Sequence, residues 1–385
     1  MKKYFSVILI VVALAAVLST VHTKLYIKRD IPILVERTQI ATSTSIDQAN
    51  IVSYEQVCPG IIYDVDQTSG NYLVTLPMQS DIQTGIDAGK KYMSVNLYNV
   101  STKQTSVFNF DLTNHISACF AKDMAGVFYV SSDARQRREL MYTTIDNSKT
   151  VSIAGADDKI STEISRAGEE TIYGTQDGKI VLANAAGEKR IIFDLGERLS
   201  VKKVCFFPQS QLVVCLSENQ KTKQTPLHVI DITNKKMKTI DSTTEDFDAN
   251  EETATIVYIT KAEGGSQIYS YNIHQNRKTY LKSGLVENVF FSPSGNKAVY
   301  IERAKDGAST IHLGLVDLKN GIANIRLVSD IRLSSRKVVW SGEDTILFSE
   351  QRNLATKPET GETFEYVVQK CEYRVELTDE QKSYR

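Results

Sequence analysis

The sequence predicts an all-β protein, a seven-bladed β-propeller preceded by one N-terminal transmembrane helix. Three observations support this prediction. Strand-like segments dominate after residue 54, two kinds of hairpin alternate along them, and residues 4–21 carry no charge. Rings of six or eight blades are the alternatives. The charge is balanced, with Lys+Arg 45 and Asp+Glu 46, so the basic excess typical of a nucleic-acid-binding protein is missing.

Residues 1–23 form the predicted membrane anchor. The uncharged run at 4–21 follows Lys2 and Lys3, and as a helix it would reach about 27 Å, close to the minimum for crossing hydrocarbon. A cleaved signal peptide is the alternative, although a cut after Ala15 would divide the apolar run. A short N-terminus carrying two lysines normally stays in the cytoplasm. We therefore expect the rest of the chain on the extracytoplasmic side, periplasmic or extracellular.

The first kind of hairpin is clearest at residues 289–302, VFFSPSGNKAVYIE, where a hydrophobic run, a polar turn and a second hydrophobic run follow one another. Six weaker copies occur along the chain. The seven turns lie near residues 65, 122, 166, 208, 249, 293 and 342. Successive turns are thus 41 to 57 residues apart. This spacing indicates a repeated structural unit.

A second hairpin lies between successive members of the first series, as in NLYNVSTKQTSVFNF at 96–110 and YSYNIHQNRKTYL at 269–281. Each unit therefore contains four strands, a to d. A four-stranded unit at this period is typical of a propeller blade. One such sheet buries neither face alone, whereas a ring of sheets covers the faces and most of the edges.

The predicted propeller occupies residues 54–378. Its last unit ends in one uninterrupted run at 363–377, which supplies strand c and leaves strand d unassigned. The β-prone segment ILVERTQIATSTSI at 33–46 has no other place in the repeat. We therefore predict that it adds the outermost strand to blade seven and closes the ring. Residues 24–53 would form the tether and this closing strand, and 379–385 a polar tail.

The run from Phe291 to Tyr300, FSPSGNKAVY, resembles the F-S-P-D-G-K-x-hydrophobic-hydrophobic-aromatic core of TolB-like propeller repeats, relatives of the WD-repeat propellers. Ser294 replaces the usual Asp. The other six copies lose Pro, Gly or both, and the single Trp, Trp340, is followed by Ser341 instead of forming a WD dipeptide. The resemblance covers nearly all of the chain after residue 54. It implies the fold and transfers no functional residue.

Motifs for catalysis or cofactor binding are absent from the sequence, so we predict no catalytic residues, no cofactor and no metal. There is no G-x-S-x-G, and the five His lie in separate units without metal-ligand spacing. The five Cys are scattered. If Phe207 pairs with Leu212, then Cys205 and Cys215 lie on opposite faces of one hairpin, where no disulfide can close.

Two acidic segments have both a functional and a structural interpretation. Asp64, Asp66, Thr68 and Gly70 alternate like calcium-loop ligands, but the same residues suit a hairpin turn and the bidentate Glu is missing. The segment TTEDFDANEET at 243–253 could place carboxylates in the axial channel, because strand a is innermost, or form a solvated edge.

Two long b–c loops provide the predicted partner-binding site. They span 77–91 in blade one and 350–362 in blade seven, and these blades become neighbours when the ring closes. Flexible insertions are the alternative. The predicted contact residues are Ile82, Ile86 and Leu354, with Arg352 as a polar anchor.

A second candidate surface is the segment DARQRREL at 133–140, between strands b and c of blade two. Arg135, Arg137 and Arg138 could bind an acidic partner there, or could form a solvated hairpin tip.

These observations favour a non-enzymatic protein–protein interaction scaffold, anchored in the membrane and part of a cell-envelope assembly. Its partners would be one or more proteins of unknown identity, and no nucleic acid. A small-ligand, carbohydrate or peptidoglycan-binding propeller that uses the central channel is the first alternative. An enzyme with a scattered channel site is the second. Apolar side chains that fill the channel would favour protein binding, whereas converging carboxylates, Arg and His would favour a ligand or catalysis.

Overall fold

Seven antiparallel sheets form the ring, as predicted, and each blade has four main strands. The structure is a computed structural model. It describes residues 34–36, 49–66, 68–79, 91–108, 114–133, 135, 137–303, 309–317, 321–322, 325–354 and 363–375. Within those ranges we find no helix of the length and apolar character that a membrane crossing requires. The predicted anchor at residues 1–23 and the tail at 379–385 lie outside the described residues.

The strands follow one another blade by blade. Two strands precede blade one, β1 (Leu34–Glu36) and β2 (Ala49–Pro59). Blade one contains β3 (Ile61–Asp66), β4 (Asn71–Gln79), β5 (Lys91–Asn99) and β6 (Gln104–Val107). Blade two contains β7 (Asn114–Phe120), β8 (Gly126–Ser132), β9 (Arg138–Thr144) and β10 (Thr150–Ala154). Blade three contains β11 (Ser165–Ala167), β12 (Glu170–Gly174), β13 (Lys179–Ala183) and β14 (Lys189–Asp194).

The second half of the ring continues in the same way. Blade four contains β15 (Leu199–Phe207), β16 (Leu212–Asn219), β17 (Leu227–Asp231) and β18 (Lys236–Asp241). Blade five contains β19 (Thr244–Asn250), β20 (Thr255–Ala262), β21 (Gly265–Asn272) and β22 (Arg277–Gly284). Blade six contains β23 (Val286–Phe291), β24 (Lys297–Arg303), β25 (Ser309–Asp317), the short β26 (Gly321–Ile322) and β27 (Ile325–Ile331). Blade seven contains β28 (Leu333–Gly342), β29 (Thr345–Leu354) and β30 (Thr363–Val375). Two 3-10 helices span Lys122–Met124 and Ala156–Asp158.

Side-chain burial follows strand position within each blade. The second strand, such as β20, has both faces covered by neighbouring blades and reads as a continuous buried run, TIVYIT. The outermost strand β14 is largely exposed. The buried apolar residues form seven clusters, each lying between two consecutive blades, including one between blades seven and one. The core is therefore a ring of inter-blade contacts, and no blade has a core of its own.

The two rims of the ring are built differently. We call the rim with the a–b and c–d connections the turn rim, and the rim with the b–c and d–a connections the loop rim. All seven predicted turns lie within a few residues of an a–b turn. Phe207 pairs with Leu212 as predicted, which places Cys205 opposite Val214 and Cys215 opposite Val204. All five Cys are free.

The sharpest repeat copy forms the a–b turn of blade six, and its glycine is required there. Gly295 has φ +71°, and a Cβ at this position would lie 2.6 Å from the Asn250 side chain. Ser294, which replaces the usual Asp of the resemblance, donates from its backbone N and from Oγ to the Glu343 carboxylate at 2.6 and 2.8 Å. The motif therefore turns the chain and joins blade six to the neighbouring turns of blades five and seven.

Ring closure uses an N-terminal strand in blade seven, but not the predicted one. The outermost strand is β2, paired antiparallel with β30 from Ala49–Val375 to Pro59–Val367. Of the predicted segment 33–46, the described part, β1, instead pairs in parallel with β22 of blade five. The apolar side chain of Cys58 on β2 packs with Ile62 and Val368 between blades seven and one. Gly60 alone separates β2 from β3, so the chain passes directly from the closing strand of blade seven into blade one.

The two b–c hairpins that carry the predicted loops extend further than the sequence indicated. In blade one, β4 and β5 remain paired out to Gln79 and Lys91. In blade seven, β29 and β30 remain paired out to Leu354 and Thr363. Residues 350–354 are therefore strand, and the connections are 80–90 and 355–362, which lie outside the described residues.

Candidate functional site

The innermost strands of the blades surround an axial cavity of about 390 Å³. It is lined by residues of blades one, two, three, five, six and seven. Its polar and charged groups belong to Tyr63, Asp64, Cys119, Ser165, Arg166, Asp248, Lys337 and Trp340. Phe290, Phe291 and Pro293 of the sharp repeat copy supply much of its apolar wall. The cavity therefore combines aromatic surfaces with both signs of charge.

Asp64 and Arg166 join three blades at the cavity wall. The Asp64 carboxylate accepts a hydrogen bond from the backbone N of Phe120 at 2.9 Å and from Arg166 Nη2 at 3.2 Å. Arg166 Nε donates to the Phe120 carbonyl at 3.2 Å. The Asp64 side chain thus has a structural role, and so does the guanidinium that contacts it. The Arg166 side chain is nevertheless 43% exposed, so part of the cation remains accessible.

A second charged cluster joins blades four, five and six. Lys203 Nζ lies 2.8 Å from Asp246 Oδ1. Asp246 and Asp248 accept hydrogen bonds from the backbone N atoms of Val289 and Phe291, at 3.3 and 2.7 Å. Asp248 lines the axial cavity, as predicted for part of 243–253, and both carboxylates hold strand a of the next blade.

Burial and neighbouring charges shift the pKa of Lys203 and of Asp248. Burial acts to lower the pKa of Lys203, but the carboxylates of Asp246 and Asp248 outweigh it, so the pKa of the ammonium is raised. Burial raises the pKa of the Asp248 carboxyl, and Lys203 opposes that shift. The Lys203 side chain is 37% exposed, and its Nζ lies 5.3 Å from the centre of the Phe247 ring and 5.9 Å from that of the Phe290 ring.

Lys337 on β28 presents a cation to the cavity. Its Nζ lies 5.8 Å from the centre of the Tyr63 ring, within the range of a cation–π contact. It makes no hydrogen bond or ion pair with any other residue in the described parts of the chain. Asp64 and Asp248, by contrast, are both bonded to backbone N–H groups. The accessible charge in the cavity is therefore supplied by Lys337 and Arg166.

The buried histidines have structural roles. His115 Nδ1 accepts a hydrogen bond from the backbone N of Val95 at 3.0 Å, and His228 bonds Ser217 and Thr239. Burial lowers the pKa of both histidines to about 4. His312 stacks on Tyr300 and lies 2.9 Å from Glu302. None of these histidines lines the axial cavity.

The cysteine thiols do not have the character of nucleophiles. Burial raises the pKa of Cys58 and Cys119 to about 12, and the pKa of Cys205, Cys215 and Cys371 is raised for the same reason. A thiol in this state is protonated at neutral pH. Within the described ranges, no group of three or more His, Cys, Asp or Glu side chains is placed to hold a metal ion.

The predicted calcium-type segment forms the a–b turn of blade one. Asp66 Oδ2 accepts from the backbone N of Ser69 at 2.7 Å, and Gly70 has φ +67°. Asp64 points away from this turn toward Phe120 and Arg166. The turn interpretation therefore accounts for these residues.

Of the predicted partner-binding residues in the two long loops, Arg352 is the one whose side chain the structure describes. Ile82 and Ile86 lie outside the described residues, as do the side chain of Leu354 and most of its loop. Arg352 is on β29, where Nη1 donates to Gln56 Oε1 of β2 at 3.0 Å and Nε lies 3.2 Å from Glu350. Arg352 is thus next to the strand that closes the ring.

The three arginines of blade two are at the loop rim, with blade one between them and blade seven. Arg135 and Arg137 are exposed, and Arg138 begins β9. Arg137 forms an ion pair of 2.7 Å with Asp133, which also accepts from the backbone N of Arg135. These contacts are made within the loop itself.

One surface was missed by sequence reasoning. On β2, Ile51, Val52 and Tyr54 are 46%, 56% and 43% exposed, which is half of the strongly exposed large apolar side chains in the described ranges. Val52 is the extra residue of a β-bulge between Ile51 and Ser53. We call Ile51, Val52, Tyr54, Gln56 and Arg352 the blade-seven edge. The β-prone residues Ile51, Val52, Tyr54 and Val57 were its sequence signal.

No family model and no curated protein matches the chain. Solved structures do. Oligogalacturonate lyase from Vibrio parahaemolyticus is 11% identical, with 83% of this chain and 98% of that chain covered and a TM-score of 0.58. A chain of a mitotic checkpoint complex is 12% identical, with 85% and 92% covered and a TM-score of 0.54. TolB from Acinetobacter baumannii is 13% identical, with 80% and 83% covered and a TM-score of 0.46.

At these identities the likeness concerns the fold alone. The predicted resemblance to β-propeller repeat proteins is confirmed at that level. One neighbour is a lyase by name and another belongs to a checkpoint complex, so the neighbours support neither catalysis nor binding over the other.

Proposed function

We propose that the protein is a membrane-anchored, extracytoplasmic β-propeller that binds a partner protein and catalyses no reaction, as part of a cell-envelope assembly. The uncharged run at residues 4–21 supports the anchor, and Lys2 and Lys3 support the orientation. The exposed apolar side chains of the blade-seven edge are the observation that carries the binding role.

The blade-seven edge has the character of a protein-binding surface. A large apolar side chain exposed alone is ordinary, whereas three within four residues form a patch. Among the described residues, no strand pairs with the outer side of β2. Its outward backbone groups and its apolar side chains together fit an extended apolar segment of a partner protein laid along the strand. Arg352 adds a charged group at the border of this patch.

The chemistry of the interior supports binding over catalysis. Histidines that could transfer protons are buried and hydrogen-bonded, and the thiols are protonated at neutral pH. Axial carboxylates are occupied by backbone N–H groups and by Lys203 or Arg166. The carboxylates of the axis and the buried histidines His115 and His228 thus have structural partners that fix them.

Substitution of Val52 tests the proposed binding surface. Val52→Lys in the full chain should reduce recovery of crosslinked partner protein from intact cells at least about ten-fold, because a charge in an apolar contact costs roughly 1.4 kcal/mol or more. Ile191→Lys is the matched control, since Ile191 is 58% exposed on the outermost strand of blade three. Equal recovery from both variants, measured by mass spectrometry after crosslinking, would contradict the proposed surface.

A second candidate function is binding of a small anionic ligand in the axial cavity, and Lys337 favours it. The cavity does not have the uniformly apolar lining that would favour protein binding, because Lys337 and Arg166 present cations beside Phe290 and Trp340. An anionic group on a ligand with an apolar face would suit this arrangement.

Two sugars that differ in one lactyl ether group, which carries a carboxylate, test the second candidate. N-acetylmuramic acid should raise the melting temperature of the wild-type chain, and N-acetylglucosamine should do so much less, because only the former offers a carboxylate to Lys337. Lys337→Met should abolish the difference between the two sugars while leaving the melting temperature without sugar nearly unchanged. Identical shifts with both sugars, or none, would count against the axial site.

A further inference from the structure

The direction of β1 on blade five indicates how the propeller is oriented. β1 pairs with β22 in parallel, with Leu34 opposite Arg277 and Glu36 opposite Thr279. β22 begins directly after the c–d turn of blade five, at the turn rim, and ends at Gly284 near the loop rim. Because the two strands run the same way, Leu34 lies at the turn-rim end. β1 therefore begins at the turn rim and runs toward the loop rim.

The length of the chain before β1 limits the distance to the membrane. Ten residues, 24–33, separate the proposed anchor from β1. Fully extended they reach at most about 35 Å. β22 has 8 residues, so crossing from one rim to the other takes about 26 Å. If the loop rim faced the membrane, only about 9 Å of reach would remain.

The two rims also differ in how closely they can approach a flat surface. In the described blades the a–b turns are short, as at 208–211 and 292–296. The loop rim carries the two extended hairpins that continue to Gln79 and Leu354. A flat rim can lie against a bilayer over its whole width, whereas the extended hairpins would hold the other rim away from it.

We propose that the turn rim is the membrane-facing surface of the propeller, docked toward the lipid by β1, and that the loop rim faces away from it. This orientation rests on the membrane anchor of the proposed function. It leaves Arg135, Arg137 and the ends of the blade-one and blade-seven hairpins directed toward the aqueous compartment. The blade-seven edge lies on the side of the ring, where a partner can reach it in the plane of the membrane.

Blade five offers a matched pair of labelling positions. Gln275 is exposed in its c–d turn at the turn rim, and Glu263 is exposed in its b–c turn at the loop rim. Each can be replaced by Cys in the full chain. The five native Cys are free, but burial raises their thiol pKa, so a maleimide dye should react with the introduced residue.

Energy transfer to the lipid headgroups tests the orientation. The full chain is reconstituted into vesicles of phosphatidylethanolamine and phosphatidylglycerol that contain rhodamine-labelled headgroups. A donor at Gln275→Cys should transfer energy at least about two-fold more efficiently than one at Glu263→Cys, because the two turns are about 26 Å apart along the blade. Val35→Pro, which removes a backbone N–H and fixes φ, should weaken β1 pairing and reduce this difference.

Flotation of the vesicles tests the membrane anchor separately from the orientation of the propeller. A chain that does not float with the lipid would overturn the anchor, and the orientation with it. A chain that floats but gives equal transfer from both positions, or stronger transfer from Glu263→Cys, would overturn the orientation alone. A transfer difference that persists in Val35→Pro would show that β1 does not set the orientation.

Discussion

Replacing residues 49–59 with a glycine–serine segment of equal length should lower the melting temperature by about 10 °C or more, because the ring then loses its closing strand. β2 pairs with β30 along its whole length and buries Cys58 between blades seven and one. Loss of Cys58 and Val57, together with exposure of Val368 and Cys371, should cost at least about 6 kcal/mol at 1.5–3 kcal/mol per buried apolar side chain. In a protein of this size each kcal/mol corresponds to about 2 °C.

The same replacement in blade three is the matched control. β14 is also an outermost strand, but its blade is held on both sides by neighbours that are continuous in sequence. Replacing Lys189–Asp194 should therefore cost much less than replacing β2. Thermal unfolding followed by circular dichroism measures both losses. Equal melting temperatures for the two variants would mean that ring closure contributes nothing special to stability.

The free energy of unfolding should fall steeply as the pH is lowered from about 6.5 to about 4, because of His115 and His228. Both are buried, at 2% and 3% exposure, and their pKa is lowered from 6.5 to about 4. In this window the unfolded chain binds two protons that the folded chain does not. Stability should then fall by up to about 2.7 kcal/mol per pH unit, with little further loss from these groups below pH 4. Above pH 6.5 their contribution is constant.

Urea unfolding at several pH values in that window measures the effect. His115→Asn, whose side-chain oxygen can still accept from the backbone N of Val95, should halve the slope, although the variant is less stable at pH 7. His274→Gln, in an exposed turn, should leave the slope unchanged. Burial of Asp248 has the opposite effect on the free energy of unfolding. Its raised pKa stabilises the folded state as the pH falls. A slope unaffected by His115→Asn would contradict the assignment.

Local sequence was sufficient to predict the hairpins. Turn residues and alternating apolar residues specify a pair of adjacent strands, so the Phe207–Leu212 pairing and the opposite faces of Cys205 and Cys215 could be predicted. The strand that closes the ring could not be predicted from local sequence, because segments 33–46 and 49–59 are both β-prone. Which of them pairs with β30 depends on contacts with residues about three hundred positions away, and on the short connection from Pro59 to β3.

For the candidate surfaces, too, local features could be predicted from the sequence, whereas contacts between distant residues could not. Acidic residues of 243–253 were predicted to reach the axis because strand a is innermost, and Asp248 does so. Their partners could not be predicted, since Asp64 and Arg166 are 102 residues apart and meet only when blades one to three are stacked. The length of the loop at 350–362 was the reason for predicting a binding site there, but strand pairing in that hairpin extends to Leu354. The blade-seven edge emerged only once β2 had been placed.

The pairing of β2 with β30 has a consequence for biosynthesis. Blades one to six are each built from strands close in sequence, so they can form in order as the nascent chain emerges. Blade seven, by contrast, requires both β2, which is synthesised before the other strands of the seven blades, and β30, which is synthesised last. These two strands are separated by roughly 300 residues. Until translation is complete, β2 and its apolar side chains remain without a partner. Blade seven, and with it the closed ring, can therefore form only after β30 has been made, and a chain truncated before β30 cannot close the ring through β2.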